Sequence, residues 1–291
     1  MTSHDVVYYV RKHTGIKKVG HTGTLDPQAA GVLPVCIGKA TKVAEDITGK
    51  DKVYRAVLKL GVTTDTQDAE GTIIAQKEVK ISKEILYNTI ASFKGNISQI
   101  PPMHSAIKIN GRKLYDLARK GIAVDRPARQ VNIHKIEVLD IDLPRKEVLL
   151  TVTCSKGTYI RTLCHDIGEK LGCGAHMQFL LRMASGQFDI EKAIDLEEFA
   201  KLCEEKRIQS QVLSIDAFFS KYPKIIVTQA GEQKVTNGNV VSENFLHTND
   251  ITLVKDAIYR VYNEQGKFLC LSRIVDNHTH TKHLKLEKSF Y

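Results

Sequence analysis

No apolar run in this 291-residue chain approaches the roughly 20 residues that a membrane-spanning helix needs. The opening stretch, MTSHDVVYYVRKH, does not read as a signal peptide. Cysteine is scattered, and none of its six copies (Cys36, Cys154, Cys164, Cys173, Cys203 and Cys270) belongs to a Cys-x-x-Cys pair. Reduced thiols in a cytoplasmic protein are therefore the expectation. Cys173-Gly-Ala-His176 comes nearest to ligand spacing, but with no second pair it does not make a zinc site. The chain has no Walker loop, no Gly-x-Gly-x-x-Gly after a strand, no internal repeat and no low-complexity segment. Nucleotide-cofactor chemistry thus loses its usual signatures.

Positive charge is in excess. The formal net charge is +9, which favours a polyanionic partner without identifying one. The length is comfortable for two domains. In VYRAVLKLGV, Tyr54, Ala56, Leu58 and Leu60 alternate with Arg55, Val57 and Lys59, as in a strand with one buried face. VLPVCI (32–37) and VLLTVTCS (148–155) also read as strands, and KATKVAEDI reads as a short helix. After Lys156-Gly157, the spacing of Ile160, Leu163, Cys164, Ile167 and Leu171 predicts a helix, with Gly172 as its stop. A second helix is expected over LEEFAKLCEEK, with Asp195 and Glu198 as a capping box.

Two regions differ in texture. Residues 101–129 open with Pro101-Pro102 and carry Lys108, Arg112, Lys113, Arg119, Lys120, Arg126 and Arg129 against only Asp116 and Asp125. Such an excursion is either a solvated loop or a lid that grips phosphates. Beyond Tyr222-Pro223, short apolar runs at close spacing, with a turn at Asn237-Gly238, suggest a small β-barrel over 223–291.

The chemistry concentrates in GHTGTLDPQAAGVLPV, residues 20–35. Its TGTL run evokes enzymes that form an aspartyl-phosphate, but Gly20 stands where their nucleophile would be. The acid, Asp26, comes after the run and is restrained by Pro27. A solvated turn residue and a catalytic carboxylate are both open at this point. Arg161, in the first turn of its helix, opposes the helix dipole by a few tenths of a kcal/mol, roughly, which suggests a guanidinium kept there for an acid or a phosphate. Tyr54 packs in a core by default, although a phenol at a strand end can also stack on a base or move a proton.

Taken together, KKVGHTGTLDPQAAGVLPVCIGKATK, DKVYRAVLKLG with its TTDTQDAEG loop, PPMHSAIKINGRKLYDLARKG, CSKGTYIRTLCHDIG and CGAHMQFLLR resemble the bacterial TruB-type tRNA pseudouridine synthases. The resemblance runs almost end to end and is looser after residue 222. It implies an α+β pseudouridine synthase fold, with a central mixed, mainly antiparallel sheet flanked by helices and loops. A catalytic domain over 1–222 would carry an RNA-gripping insertion near 101–129, and a small PUA-like barrel over 223–291 would bind RNA.

The implied reaction turns the T-loop uridine at position 55 of conventional tRNA numbering into pseudouridine. It needs no cofactor and no metal. The resemblance assigns Asp26 to the break at the sugar, as nucleophile or base, with Arg161 pairing with it and holding it ionised. Tyr54 would stack on the uracil and help remove the C5 proton. Tyr159 and Leu180 would line the pocket, and His21 would help fill the space of a flipped-out base. Asp68 joins the substrate-binding set with Lys108, Arg112, Lys113, Arg119 and Lys120. The implied partner is the tRNA T-arm, with no membrane and no obligatory protein partner, so a monomer is expected.

Three departures stand out. Relatives usually begin with a strand and a Lys-Pro-x-Gly motif leading into Thr-Ser, whereas this sequence opens at Met1-Thr2-Ser3. That predicts an unpaired sheet edge. His104 stands where many relatives carry tyrosine, and Leu181 where an arginine is frequent. Two rival classes remain: a non-catalytic tRNA-binding or folding module, and a carboxylate-based hydrolase. The hydrolase needs a second acid near Asp26, for which Asp68 is the one candidate.

Overall fold

The computed structural model describes residues 1–109, 111–122, 124–247, 252–276 and 281–291. The chain divides into two compact units. One comprises 1–10, 20–35 and 44–195, and the other 11–19, 36–43 and 196–291. No helix among the described residues is long and apolar enough to cross a membrane.

The first unit is built on a seven-stranded sheet. From one edge its strands are Phe188–Asp189, Ala175–Ser185, Lys52–Leu60, Glu147–Cys154, Arg129–Asp142 and Gly95–Gln99, each antiparallel to the next. The short strand Ala30–Gly31 joins Ala175–Ser185 in parallel and makes the sheet mixed. The alternation read from the sequence is realised, since Ala56, Leu58 and Leu60 are fully buried while Arg55 is exposed. Val148, Leu150, Val152 and Cys154 do the same on the neighbouring strand.

Against this face lies the helix Ile160–Lys170, whose Leu163, Cys164 and Ile167 complete the core. Gly172, at φ +77°, ends it as expected. The helix lies close to the sheet at Gly168, where an added Cβ would come within 2.2 Å of the Ala175 backbone nitrogen. Arg161 lies buried in the first turn of this helix.

The expected strand over 32–37 shrinks to Val35–Ile37. Pro34, which has no amide hydrogen to donate, precedes it. The segment after Gly38 forms a 3-10 turn, Gly38–Val43, running into the helix Ala44–Thr48. The basic excursion contains a hairpin of Lys108–Ile109 with Arg112–Lys113, then the helix Leu114–Ala118.

The second unit holds a six-stranded, barrel-like sheet in the order Val241–Ser242, Lys282–Ser289, Phe268–Asp276, Ile258–Tyr262, Lys224–Val227, Leu246–His247. Asn237-Gly238 is not a turn between strands. Residues Gln229–Thr236 form a helix, and Gly238, at φ +75°, closes it, its N–H donating to Val235 and that of Asn239 to Lys234. The closing Asn-Gly pair serves a helix end as well as a hairpin, so the local signal was ambiguous. Near the C-terminal end of the chain, KHLKLEKS forms the strand Lys282–Ser289.

Glycine to alanine in a helix interior ordinarily stabilises by about 1 kcal/mol. Gly168→Ala should do the opposite, lowering stability by about 1–3 kcal/mol in urea unfolding, because the helix must move off the sheet. A variant as stable as the native chain would show that the packing there is loose.

Candidate active site

The loop 20–35 is fastened from two sides and by a turn of its own. Arg182, on the 175–185 strand, is 1% exposed. Its Nε donates to the Val32 carbonyl at 2.6 Å, and its two Nη groups reach the carbonyls of Thr24 and Gly23 at 3.5 and 3.3 Å. Val32 returns a backbone bond to the Arg182 carbonyl at 2.9 Å. Gly31, at φ +107°, lets the two backbones meet, because a Cβ there would stand 2.2 Å from the Arg182 oxygen. On the other side, the buried Ser3 hydroxyl accepts from the Leu25 N–H at 2.9 Å, one residue before the acid. Asp26 itself closes a turn, its carbonyl accepting from the Ala29 N–H at 2.9 Å.

So restrained, Asp26 faces Arg161. Nη2 of the guanidinium donates to Oδ1 at 3.0 Å, and Nε lies 3.0 Å from Oδ2 as an ion-pair contact. The arginine side chain is 5% exposed and the aspartate 34%, so the cation is fixed while the acid still opens outward. Three further acceptors surround the guanidinium. The His104 carbonyl accepts from Nη2 at 2.8 Å, and Thr66 carbonyl and Asp68 Oδ2 each lie 3.4 Å from Nη1. This is the second acid, on the far side of the same cation. Asp68 is also occupied locally, taking the Thr66 hydroxyl at 2.6 Å and the Glu70 N–H at 3.2 Å. Its loop is pinned where the Thr162 hydroxyl donates to Gln67 and the Met177 N–H to the Gln67 carbonyl, both at 3.0 Å.

Arg161 draws the Asp26 pKa down, as expected of an ion pair. Burial is the larger effect, and the Asp68 charge adds to it, so the carboxyl sits above its ordinary value of 3.8. Arg161 thus pairs with the carboxylate and offsets part of the desolvation without reversing the direction of the shift. Burial likewise pushes the Tyr54 phenol up to about 12, so it keeps its proton at neutral pH. Burial lifts Tyr159 as well. His21 moves down, first from burial and then from the charges of His4 and Arg182, which leaves it a neutral ring. Cys154 and Cys164 are held near 12 by burial, too high for a thiolate nucleophile.

The structure brings together Asp26, Arg161 and Asp68, with Tyr54 and Tyr159 close enough to sense the Asp26 charge. Leu180 is buried opposite Ala56 on the adjoining strand. Arg112, Arg119 and Lys120 are exposed on the insertion, and the side chains of Lys108 and Lys113 lie outside the described residues. The Arg119 guanidinium rests 5.6 Å from the Tyr115 ring. Sequence reasoning missed Arg182 and Ser3. The first carried a signal, a charge inside the apolar run FLLRMA, and the second carried none.

Residues 11–160 match the family model for TruB family pseudouridylate synthase, N-terminal domain, and 161–220 match that for the tRNA pseudouridylate synthase B C-terminal domain. The chain is 50% identical over 246 residues to tRNA pseudouridine synthase B of Alkaliphilus oremlandii, covering 84% of this chain and 81% of that one. To the protein of the same name from Clostridium perfringens strain SM101 it is 45% identical over 289 residues, 99% of this chain and 94% of the relative. Among solved structures, a Cbf5-Nop10-Gar1 complex contains a similar chain, with a TM-score of 0.70 and 27% identity, covering 100% of this chain and 82% of that one.

A raised carboxyl pKa has two measurable consequences. By carboxyl 13C NMR, Asp26 should titrate above 3.8, lower in Asp68→Asn, which loses a like charge, and higher in Arg161→Ala. Because the folded pKa exceeds the unfolded one, folding binds a proton, so this group's stabilising share is complete below 3.8 and is lost as pH rises through the folded value. Asp26→Asn should remove that fall from the stability curve. Titration of Asp26 at or below 3.8 would overturn the balance described here.

Proposed function

The chain belongs to the TruB family of pseudouridylate synthases, and on that premise we propose that it isomerises uridine 55 in the T-loop of tRNA to pseudouridine. The observation that carries the reading is the buried Arg161 paired with the outward-opening Asp26 at 3.0 Å. In the reaction the N1–C1′ bond of the uridine breaks, the uracil turns, and a C5–C1′ bond forms. C5 loses a proton and N1 gains one, with no oxidant or reductant required.

Asp26 acts at the ribose, either by attack on C1′ or as a base, and both routes need it ionised. Arg161 keeps enough of it so despite burial. Tyr54 presents a protonated phenol against the base, so its first contribution is stacking. Tyr159 and Leu180 wall the pocket, and His21, neutral and uncharged, suits the space a flipped base leaves behind. Exclusion of water matters, because a detached uracil beside an activated ribose would otherwise end in hydrolysis.

The exposed cations of the insertion suit a phosphate backbone read by shape. Residues 223–291, a part of the second compact unit, are proposed to bind RNA. In support, Lys234, Phe245 and His283 line an open cleft of about 410 Å³, and the lysine ammonium stands 5.0 Å from the phenyl ring. No obligatory protein partner is part of this proposal.

The hydrolase reading gains a second acid, Asp68, but that carboxylate is spent on Arg161, Thr66 and Glu70. Free uracil, not pseudouridine, would be its product.

Asp26→Asn should abolish pseudouridine formation while tRNA affinity stays within about tenfold, because phosphate and stacking contacts lie elsewhere. With C5-tritiated tRNA, the native chain should release tritium from one T-loop uridine and the variant from none. Native release by the variant would make Asp26 a structural turn residue. No release by the native chain would leave a binding module. Separately, alanine at Arg112, Lys113, Arg119 and Lys120 should flatten the log–log salt dependence of tRNA affinity by up to about 0.7–0.9 per lost phosphate contact. An unchanged slope would show that these cations do not touch the RNA.

A further inference from the structure

The insertion leaves the sheet and returns to it at one rung, where Gln99 of the 95–99 strand pairs with Arg129 of the 129–142 strand. Gln99 is polar yet 1% exposed. Its side chain turns away from the insertion toward the 160–170 helix. There its Nε2 donates to the Tyr159 carbonyl at 3.2 Å and its Oε1 accepts from the Tyr159 N–H at 3.0 Å. This is the pair of bonds a neighbouring strand would make, supplied by one side-chain amide. Tyr159 is the residue before the helix, extended at φ −98° and ψ 109°, and it has no side-chain cap of its own. Arg161 follows two residues later.

A second tie runs the other way, since the His104 carbonyl, inside the insertion, accepts from Arg161 Nη2 at 2.8 Å. Both ends of the arginine are thus fixed by the neck of the insertion: its backbone departure by Gln99 and its guanidinium by His104. An amide suits the first task because it donates and accepts without adding charge to a site that already holds two acids and a buried cation.

We propose that Gln99 is a positioning residue that, through Tyr159, holds Arg161 facing Asp26. The inference rests on the reading of Asp26 and Arg161 as the groups that make pseudouridine. The charged and titratable groups around Asp26 are Arg161, Asp68 and the phenols of Tyr54 and Tyr159, and Arg129 lies beside Tyr159.

The test uses the full chain with Gln99→Met, of similar length but without the amide, and Gln99→Glu. In single turnover on unmodified tRNA, Gln99→Met should form pseudouridine at least about tenfold more slowly, with tRNA affinity within about threefold. Its acid limb should move to higher pH, because an Arg161 that has drifted opposes the burial of Asp26 less. In Gln99→Glu the protonated acid can both donate and accept as the amide does, and the carboxylate cannot. Its rate relative to the native chain should therefore improve as pH falls.

A purely structural role would lower the melting temperature and the active fraction but leave both pH profiles native, and that result overturns the proposal. Should the native chain form no pseudouridine, the functional reading fails on its own. The Asp26 carboxyl titration in Gln99→Met then decides, with an upward move supporting the positioning role and an unmoved value removing it.

Discussion

Everything at this site depends on one buried guanidinium. Arg161 is an arginine with its side chain 5% exposed, and such a group is tolerated only where acceptors surround it. It finds them on three separate segments: Asp26 on the 20–35 loop, Asp68 and the Thr66 carbonyl on the 65–71 loop, and the His104 carbonyl at the base of the insertion. None of these segments has a long regular element of its own to fix it at that point. The cation organises them, and the sheet and helix hold the cation.

Two opposed effects are balanced on Asp26. Burial favours the neutral acid and the arginine favours the carboxylate, while Asp68 satisfies part of the cation and weakens its pull. Without Asp68, Arg161 would act on Asp26 undivided and hold it lower. Without Arg161, burial would hold it higher. The resulting carboxylate is poorly solvated and only moderately stabilised.

The sequence made some of this legible and hid the rest for identifiable reasons. The 52–60 strand and the 160–170 helix were readable because each buries one face, which imposes periods of two and 3.6 on the apolar residues. The helix Gln229–Thr236 was not, because QAGEQKVT buries only Gly231 and Val235 and so shows almost no apolar period. Asn-Gly after it reads equally well as a hairpin turn. Asp26 stood out through its motif, and Arg161 through its opposition to the helix dipole. Gln99 gave no signal, since an amide at a strand end is indistinguishable from a surface residue until its partner is known.

What the sequence determined alone was the cast: an acid restrained before proline, an arginine at a helix start, a phenol on a strand face and a basic insertion between two strands. These follow from local spacing and from chemistry carried within a few residues. Tertiary structure decided the pairings and their signs. Asp26 and Arg161 are 135 residues apart, Arg182 and Val32 150, and Gln99 and Tyr159 60. No local period encodes contacts at such separations. The direction of the Asp26 shift depends on how much water the folded chain removes from around it, a quantity that exists only once sheet, helix and loops have closed on the same point.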